Sequence, residues 1–177
     1  MSRDDLTPFS YAILVLVGRD GAGPHDLVRM ARQGRIYASA AESQYYAEPK
    51  RLERLGYLTS RKEPGRTRER THYSLTETGL DALRAWAREP VSFPRTLHEG
   101  VVRLLAADLV GEAPTRAGIT PLREELDDLD ALLDQADEVA ATLPHREKYL
   151  RINHRLARRL VEAHREWVDE VERELES

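Results

Sequence analysis

Apolar residues recur every three or four positions along most of this chain, and they alternate in only two short runs. Behind Thr7-Pro8, a hydroxyl cap followed by proline at a first helical position, come Phe9, Ala12, Ile13, Leu16 and Val17. This predicts a helix closed by Gly18. After the turn Arg19-Asp20-Gly21-Ala22-Gly23-Pro24, the residues Leu27, Val28, Met30 and Ala31 predict a short second helix ending at Gly34. Ser39-Ala40-Ala41-Glu42 fits a capping box, so a third helix is expected to begin near Ser39. It would carry Tyr45, Tyr46, Leu52 and Leu55 and stop at Gly56. Pro49 has no N–H to give the helix ladder and is expected to kink it or end its first half near Glu48. Residues 57–62 and 71–75 read as strands flanking a loop of Pro64, Gly65, Arg66, Thr67 and Arg68, which is a long-looped hairpin. Thr76 then caps a fourth helix through Leu80, Leu83, Ala85 and Trp86, with Trp86 as packing.

Glu89-Pro90-Val91-Ser92-Phe93-Pro94 reads as a stiff linker and divides the chain into 1–90 and 91–177. Three helical stretches follow. The first holds Leu97, Val101, Leu104, Leu105 and Leu109. The second runs from Pro121 through Leu122, Leu126, Leu129, Leu133, Ala136 and Ala140. The third extends from about His145 to Glu176 with Ile152, Leu156, Leu160, Trp167, Val171 and Leu175. A helix that long reaches roughly 45 Å, beyond what so small a domain covers, so a second chain is the expected cover. Its dimer interface is expected at Ile152, Leu156, Leu160, Trp167 and Val171.

Charge changes this picture in one respect. The net charge of −4 argues against a nucleic-acid partner until the chain is split. Residues 1–90 hold 15 Lys/Arg against 12 Asp/Glu, whereas the remainder holds 12 against 19. Within 32–70 there are 10 basic and 5 acidic residues, the local excess expected of a phosphate-binding surface. There is no cysteine, which excludes disulfides, thiolate metal sites and cysteine nucleophiles. The opening residues lack the apolar core of a signal peptide, and Ala12–Val17 is too short an apolar run to span a bilayer. A cytoplasmic protein is expected. Ile13–Val17 followed by Gly21-Ala22-Gly23 mimics a dinucleotide loop, but Asp26 stands where the third glycine belongs and no strand–helix series follows. The six histidines form no H-E-x-x-H motif, and there is no serine nucleophile elbow. Neither an enzyme nor a bound cofactor or metal is expected.

The segments Leu6-Thr7-Pro8, Gly23-Pro24-His25-Asp26-Leu27, Ser43-Gln44-Tyr45-Tyr46, Lys50 to Leu58 and Tyr73 to Gly79 occur in order at compatible spacing. In this, residues 1–90 resemble the PadR family of bacterial regulators, and the helical remainder resembles the arm of its larger subgroup. The resemblance implies a mainly α fold: a winged helix-turn-helix with a two-stranded β-wing, followed by a helical dimerisation and possible effector domain. It implies a homodimer that places two recognition helices in successive major grooves of palindromic operator DNA, usually as a repressor. Carried over by position, Ser43, Gln44 and Tyr46 stand at the front of the recognition helix, with Lys50 further along. Gln suits an adenine edge, Ser, Tyr and Lys suit phosphates or bases, and Arg66 and Arg68 at the wing tip suit phosphate or the minor groove. Tyr45 and Tyr46 are adjacent and cannot both face inward, so one is expected in the core and Tyr46 at the DNA.

The family also implies a small aromatic or hydrophobic effector. Tyr11, Phe93, His98, Arg103, Tyr149 and His154 form a chemically suitable set, with Arg103 facing an acid and the rings stacking on an aromatic body. The alternative for the whole chain is a winged-helix module for protein–protein contact without specific DNA binding.

Overall fold

The computed structural model describes residues 6–33, 40–64, 69–94 and 97–175. The chain folds as two compact units, Met1–Ser92 and Phe93–Ser177.

The first unit orders α1 (Pro8–Val17), α2 (Pro24–Gln33), α3 (Glu42–Arg54), β1 (Leu58–Glu63), β2 (Arg70–Leu75) and α4 (Glu77–Trp86). Thr7 and Ser10 cap α1 reciprocally: Ser10 N–H donates to Thr7 Oγ1 at 3.1 Å, and Thr7 N–H donates to Ser10 Oγ at 2.9 Å. Gly18, at φ 58°, ends the helix. β1 and β2 pair antiparallel from Leu58↔Leu75 to Glu63↔Arg70. Ala22 adds a bridge to Tyr73 through two 3.0 Å backbone bonds, tying the turn after α1 to the hairpin. Gly21 permits that approach, since its φ is +75° and a Cβ there would lie 2.5 Å from the Tyr73 carbonyl. Thr76 caps α4 by accepting from Gly79 N–H at 3.1 Å. Ile13, Leu14, Val17, Leu27, Leu52, Tyr57, Leu58 and Tyr73 form the core where all these elements meet.

Two expectations for α3 are corrected. Ser39 lies outside the described residues, and the helix begins at Glu42 behind Ala41, which makes no side-chain cap bond. The helix also runs through Pro49 to Arg54 instead of ending at Glu48. Proline within a helix costs about 3 kcal/mol. Here its ring is fully buried in the unit, and that packing offsets the cost. Gly34, the expected end of α2, and Gly65–Arg68 also lie outside the described residues.

The second unit contains α5 (Glu99–Leu105), α6 (Ala107–Val110), α7 (Glu112–Ile119), α8 (Leu122–Ala141) and α9 (Glu147–Glu174). The first expected arm helix is therefore two, and α7 is additional. α7 contains Pro114 and Gly118, poor helix formers that hide it from a propensity reading. Pro114 sits in the first turn, where its missing N–H is harmless, and the helix buries Thr115 and Ile119. α8 and α9 form an antiparallel hairpin. Leu126, Leu133, Ala136 and Ala140 meet Ala157, Val161 and Val168. Acidic α8 is laced to α9 by Arg165 with Asp127 and Asp130 at 2.8 and 2.6 Å, and by Arg158 with Asp134 and Asp137, both at 2.9 Å. Among the described residues no helix is long and apolar enough to cross a membrane.

Candidate nucleic-acid interface

α3 buries one face and offers the other to solvent. Tyr45, Pro49 and Leu52 point into the core, with Phe9 meeting the Tyr45 ring edge-on at 5.2 Å. Ser43, Ala47, Lys50 and Arg54, spaced by four, three and four, share the opposite face and are all exposed, with Gln44 exposed beside them. Tyr46 is half-buried on the flank of this face. Its ring stands edge-on to His25 at 5.6 Å, and its hydroxyl lies 3.0 Å from His25 Nδ1. The division of the two tyrosines into one core and one surface residue thus holds, with the polar end of Tyr46 fixed by α2.

The back of α3 is pinned to α1 by a compact polar cluster. Ser10 is fully buried and donates its hydroxyl to Glu48 Oε1 at 2.6 Å. Arg51 grips the same carboxylate with two bonds, at 2.9 and 2.7 Å, and donates to Ser10 Oγ at 3.0 Å. Burial alone would raise the Glu48 pKa. The hydrogen bonds from Arg51 and Ser10 and the guanidinium charge outweigh it and hold the group below its ordinary value. Arg32 and Glu42 pair at 3.1 Å, joining the end of α2 to the start of α3.

On the wing, Arg61, Lys62 and Arg70 are exposed. Glu63 lies among them, 2.7 Å from Arg61 and 3.7 Å from Arg70, and its pKa is lowered chiefly by the Arg61 hydrogen bond. Arg66 and Arg68 lie outside the described residues. Arg54 and His25 were not singled out from the sequence. Arg54 was legible as the continuation of the Ser43–Ala47–Lys50 period, whereas His25 reaches Tyr46 only through the fold.

In the second unit the stripe expected to meet a second chain is mostly exposed: Ile152 at 50%, Leu156 at 51% and Leu160 at 37%, with Tyr149 in line and Trp167 half-buried. Val171 is corrected. The helical period carries it off this stripe and into the unit's own interior beside Val168.

The six effector candidates do not share one condition. Tyr11 is in the core of the first unit, stacked on Trp86 with centroids 4.7 Å apart. His154 is buried, with Nδ1 at 2.7 Å from Asp137 Oδ1 on α8, so its role is a satisfied internal contact. Arg103 Nε donates to Glu99 at 3.0 Å, which already supplies the acid it was expected to await. His98 accepts from Val101 N–H at 3.1 Å as the cap of α5. Phe93 and Tyr149 are exposed. Among the described residues no group of three or more His, Asp or Glu side chains could hold a metal.

No family model and no curated protein matches the sequence. Solved structures do match. Bacillus subtilis PadR in complex with operator DNA is 21% identical, with 96% of this chain and 97% of that one covered, at a TM-score of 0.74. The Vibrio cholerae virulence activator AphA is 26% identical, covering 94% and 96%, at 0.72. The structure of Bacillus subtilis PadR with p-coumaric acid is 22% identical, covering 94% and 96%, at 0.61. The resemblance carried by the motifs of residues 1–90 and the likeness of nearly the whole folded chain agree: this protein has the fold of the PadR regulators, a winged helix-turn-helix followed by a helical arm.

Proposed function

We propose that the protein is a sequence-specific, double-stranded DNA-binding transcriptional regulator acting in the cytoplasm as a homodimer and a repressor, and that it is not an enzyme. The observation that carries this reading is the solvent face of α3. Ser43, Gln44, Lys50 and Arg54 are exposed together there, while Ser10, Glu48 and Arg51 lock the other side of the helix to α1. A helix held from behind with amide and cationic groups in front suits insertion into a major groove. Gln44 then reads a base edge. Ser43, Lys50, Arg54 and Tyr46, the last steadied by His25, take bases or phosphates, and Arg61, Lys62, Arg66, Arg68 and Arg70 bring the wing to the backbone.

The second copy is expected along α9. Lys148, Arg155 and Arg159 occupy one flank of the exposed apolar stripe in its first half, and Glu162, Glu166 and Glu170 continue that flank in the second. Two such helices laid antiparallel set each basic half against an acidic one, which favours a twofold pairing.

A small aromatic or hydrophobic effector belongs to the reading as the release signal, with Phe93 and Tyr149 its most accessible candidate rings. A hundredfold loss of DNA affinity requires about 2.7 kcal/mol of coupling between the two ligands. The test is selection of binding sites from random duplexes. Enrichment of a palindrome bound by two chains supports the proposal. Failure to enrich any sequence supports a protein-interaction module instead.

A further inference from the structure

His98 and His164 are 66 residues apart in sequence, yet their Nε2 atoms lie 2.9 Å from one another. The ring planes are 16° from parallel with centroids 5.0 Å apart, so the imidazoles meet edge to edge, and His98 also meets the Trp167 indole edge-on at 5.4 Å. These contacts bring the start of α5 onto α9. Gly100 permits the approach, because a Cβ there would lie 3.0 Å from Trp167 Cη2.

The hydrogen bonds around the pair assign every proton. Val101 N–H can only donate, so His98 Nδ1, at 3.1 Å, is an acceptor with a free lone pair. The neutral ring then carries its hydrogen on Nε2. The Leu160 carbonyl can only accept, so His164 Nδ1, at 2.6 Å from it, carries the hydrogen and leaves a lone pair on Nε2. His98 Nε2–H therefore donates to His164 Nε2, and all three bonds are satisfied with both rings neutral. A metal ion bridging the pair would need lone pairs on both Nε2 atoms, which the His98 tautomer denies.

We propose that this pair is a proton-operated catch holding the start of α5 to α9, closed when both imidazoles are neutral and released by acid. The two ring nitrogens without hydrogens are both engaged as acceptors. A proton on His164 Nε2 sets N–H against N–H, and a proton on His98 Nδ1 removes the α5 cap. The docked arrangement thus binds fewer protons than the released one, so its stability is present at higher pH and lost as pH falls.

The charged groups nearest in sequence to the two histidines are engaged elsewhere. Glu99 and Arg103 of α5 pair with each other, and on α9 Arg165 engages Asp127 and Asp130 of α8, with Glu162 at 3.7 Å. Asp108 of α6 and Glu112 and Arg116 of α7 are the charged residues of the two short helices packed beside α5. Among the described residues no carboxylate bonds either ring. His154, the other histidine that α9 packs inward, faces Asp137 at 2.7 Å and takes no part in the pair.

The test follows Trp167 fluorescence in the full chain carrying Trp86→Phe, titrated from about pH 8 to about pH 5, where imidazoles charge. The expected result is a reversible loss of intensity with a red shift on acidification. His98→Asn with His164→Gln, which keeps a cap and an acceptor but cannot titrate, should abolish the change. A flat titration of the parent, or an unchanged transition in the double variant, overturns the proposal. Histidine ¹⁵N spectra at the alkaline end need no substitution at the pair: His98 should show the Nε2–H form and His164 the Nδ1–H form, and the reverse assignment also overturns it.

Discussion

The hydroxyl of Tyr46 on α3 lies 3.0 Å from Nδ1 of His25 on α2, joining the two helices on the surface proposed to meet DNA. Tyr46→Phe removes this bond and leaves the ring in place. A neutral hydrogen bond contributes about 0.5–1.5 kcal/mol, so DNA affinity should fall by roughly threefold to tenfold. Thermal unfolding should move little, because the bond is exposed. Fluorescence anisotropy and a melting curve on the same preparation check the two halves of this prediction.

Gln44 and Lys50 should fail in different ways. Gln44→Ala is expected to relax preference at a single base position, losing about 1–3 kcal/mol of discrimination. Lys50→Ala should weaken binding to all sequences and reduce the salt slope by about one unit. Titrations of matched and singly substituted duplexes at several salt concentrations separate them. An unchanged salt slope in Lys50→Ala removes that residue from the phosphate contacts.

Acid should reach the first unit through Glu48. Its carboxyl is held below its ordinary value in the folded chain, so its ionised form stabilises the fold above the unfolded pKa, about 4.3. That contribution is lost as pH falls through the lower folded value. Glu48→Gln should lower the melting temperature at neutral pH and flatten its decline in acid. Calorimetry from about pH 7 to about pH 3 reads both effects.

The charge halves of α9 predict a rescue. Arg155→Glu with Arg159→Glu should weaken self-association, and adding Glu162→Arg with Glu166→Arg should restore it by reversing both halves. Exposed pairs contribute roughly 0.2–1 kcal/mol each and twofold symmetry repeats every pair, so the dissociation constant should rise by roughly fourfold or more. Sedimentation or light scattering across a dilution series measures it. Equal weakening by both sets of changes contradicts the antiparallel arrangement.

Sequence legibility followed the range of the interactions. The Thr7-Pro8 start of α1, the strands of the wing and the Thr76 cap were readable because neighbouring residues determine them. α7 was not, since Pro114 and Gly118 oppose a helix that the burial of Thr115 and Ile119 supports. At Pro49 the sequence allows a kink or a break near Glu48, because the local rule has no knowledge of the core the ring enters. At the candidate interface Ser43, Gln44 and Lys50 were found by pattern, but the hold of His25 on Tyr46 and of Ser10 on Glu48 depends on elements that sequence spacing does not bring together. Val171 and His154 were misplaced for the same reason: only the packing of α8 decides which faces of α9 are already occupied.

The α3 face is the surface proposed to read DNA sequence. That role is tested most directly by comparing affinities for a selected palindrome and a scrambled duplex of the same length and composition at near-physiological salt. Specific complexes typically exceed nonspecific ones by about 10³-fold or more. A preference of that order, at two chains per duplex and reduced by Gln44→Ala, is the predicted result. Equal affinity for the two duplexes, or none for either at low salt, would contradict it.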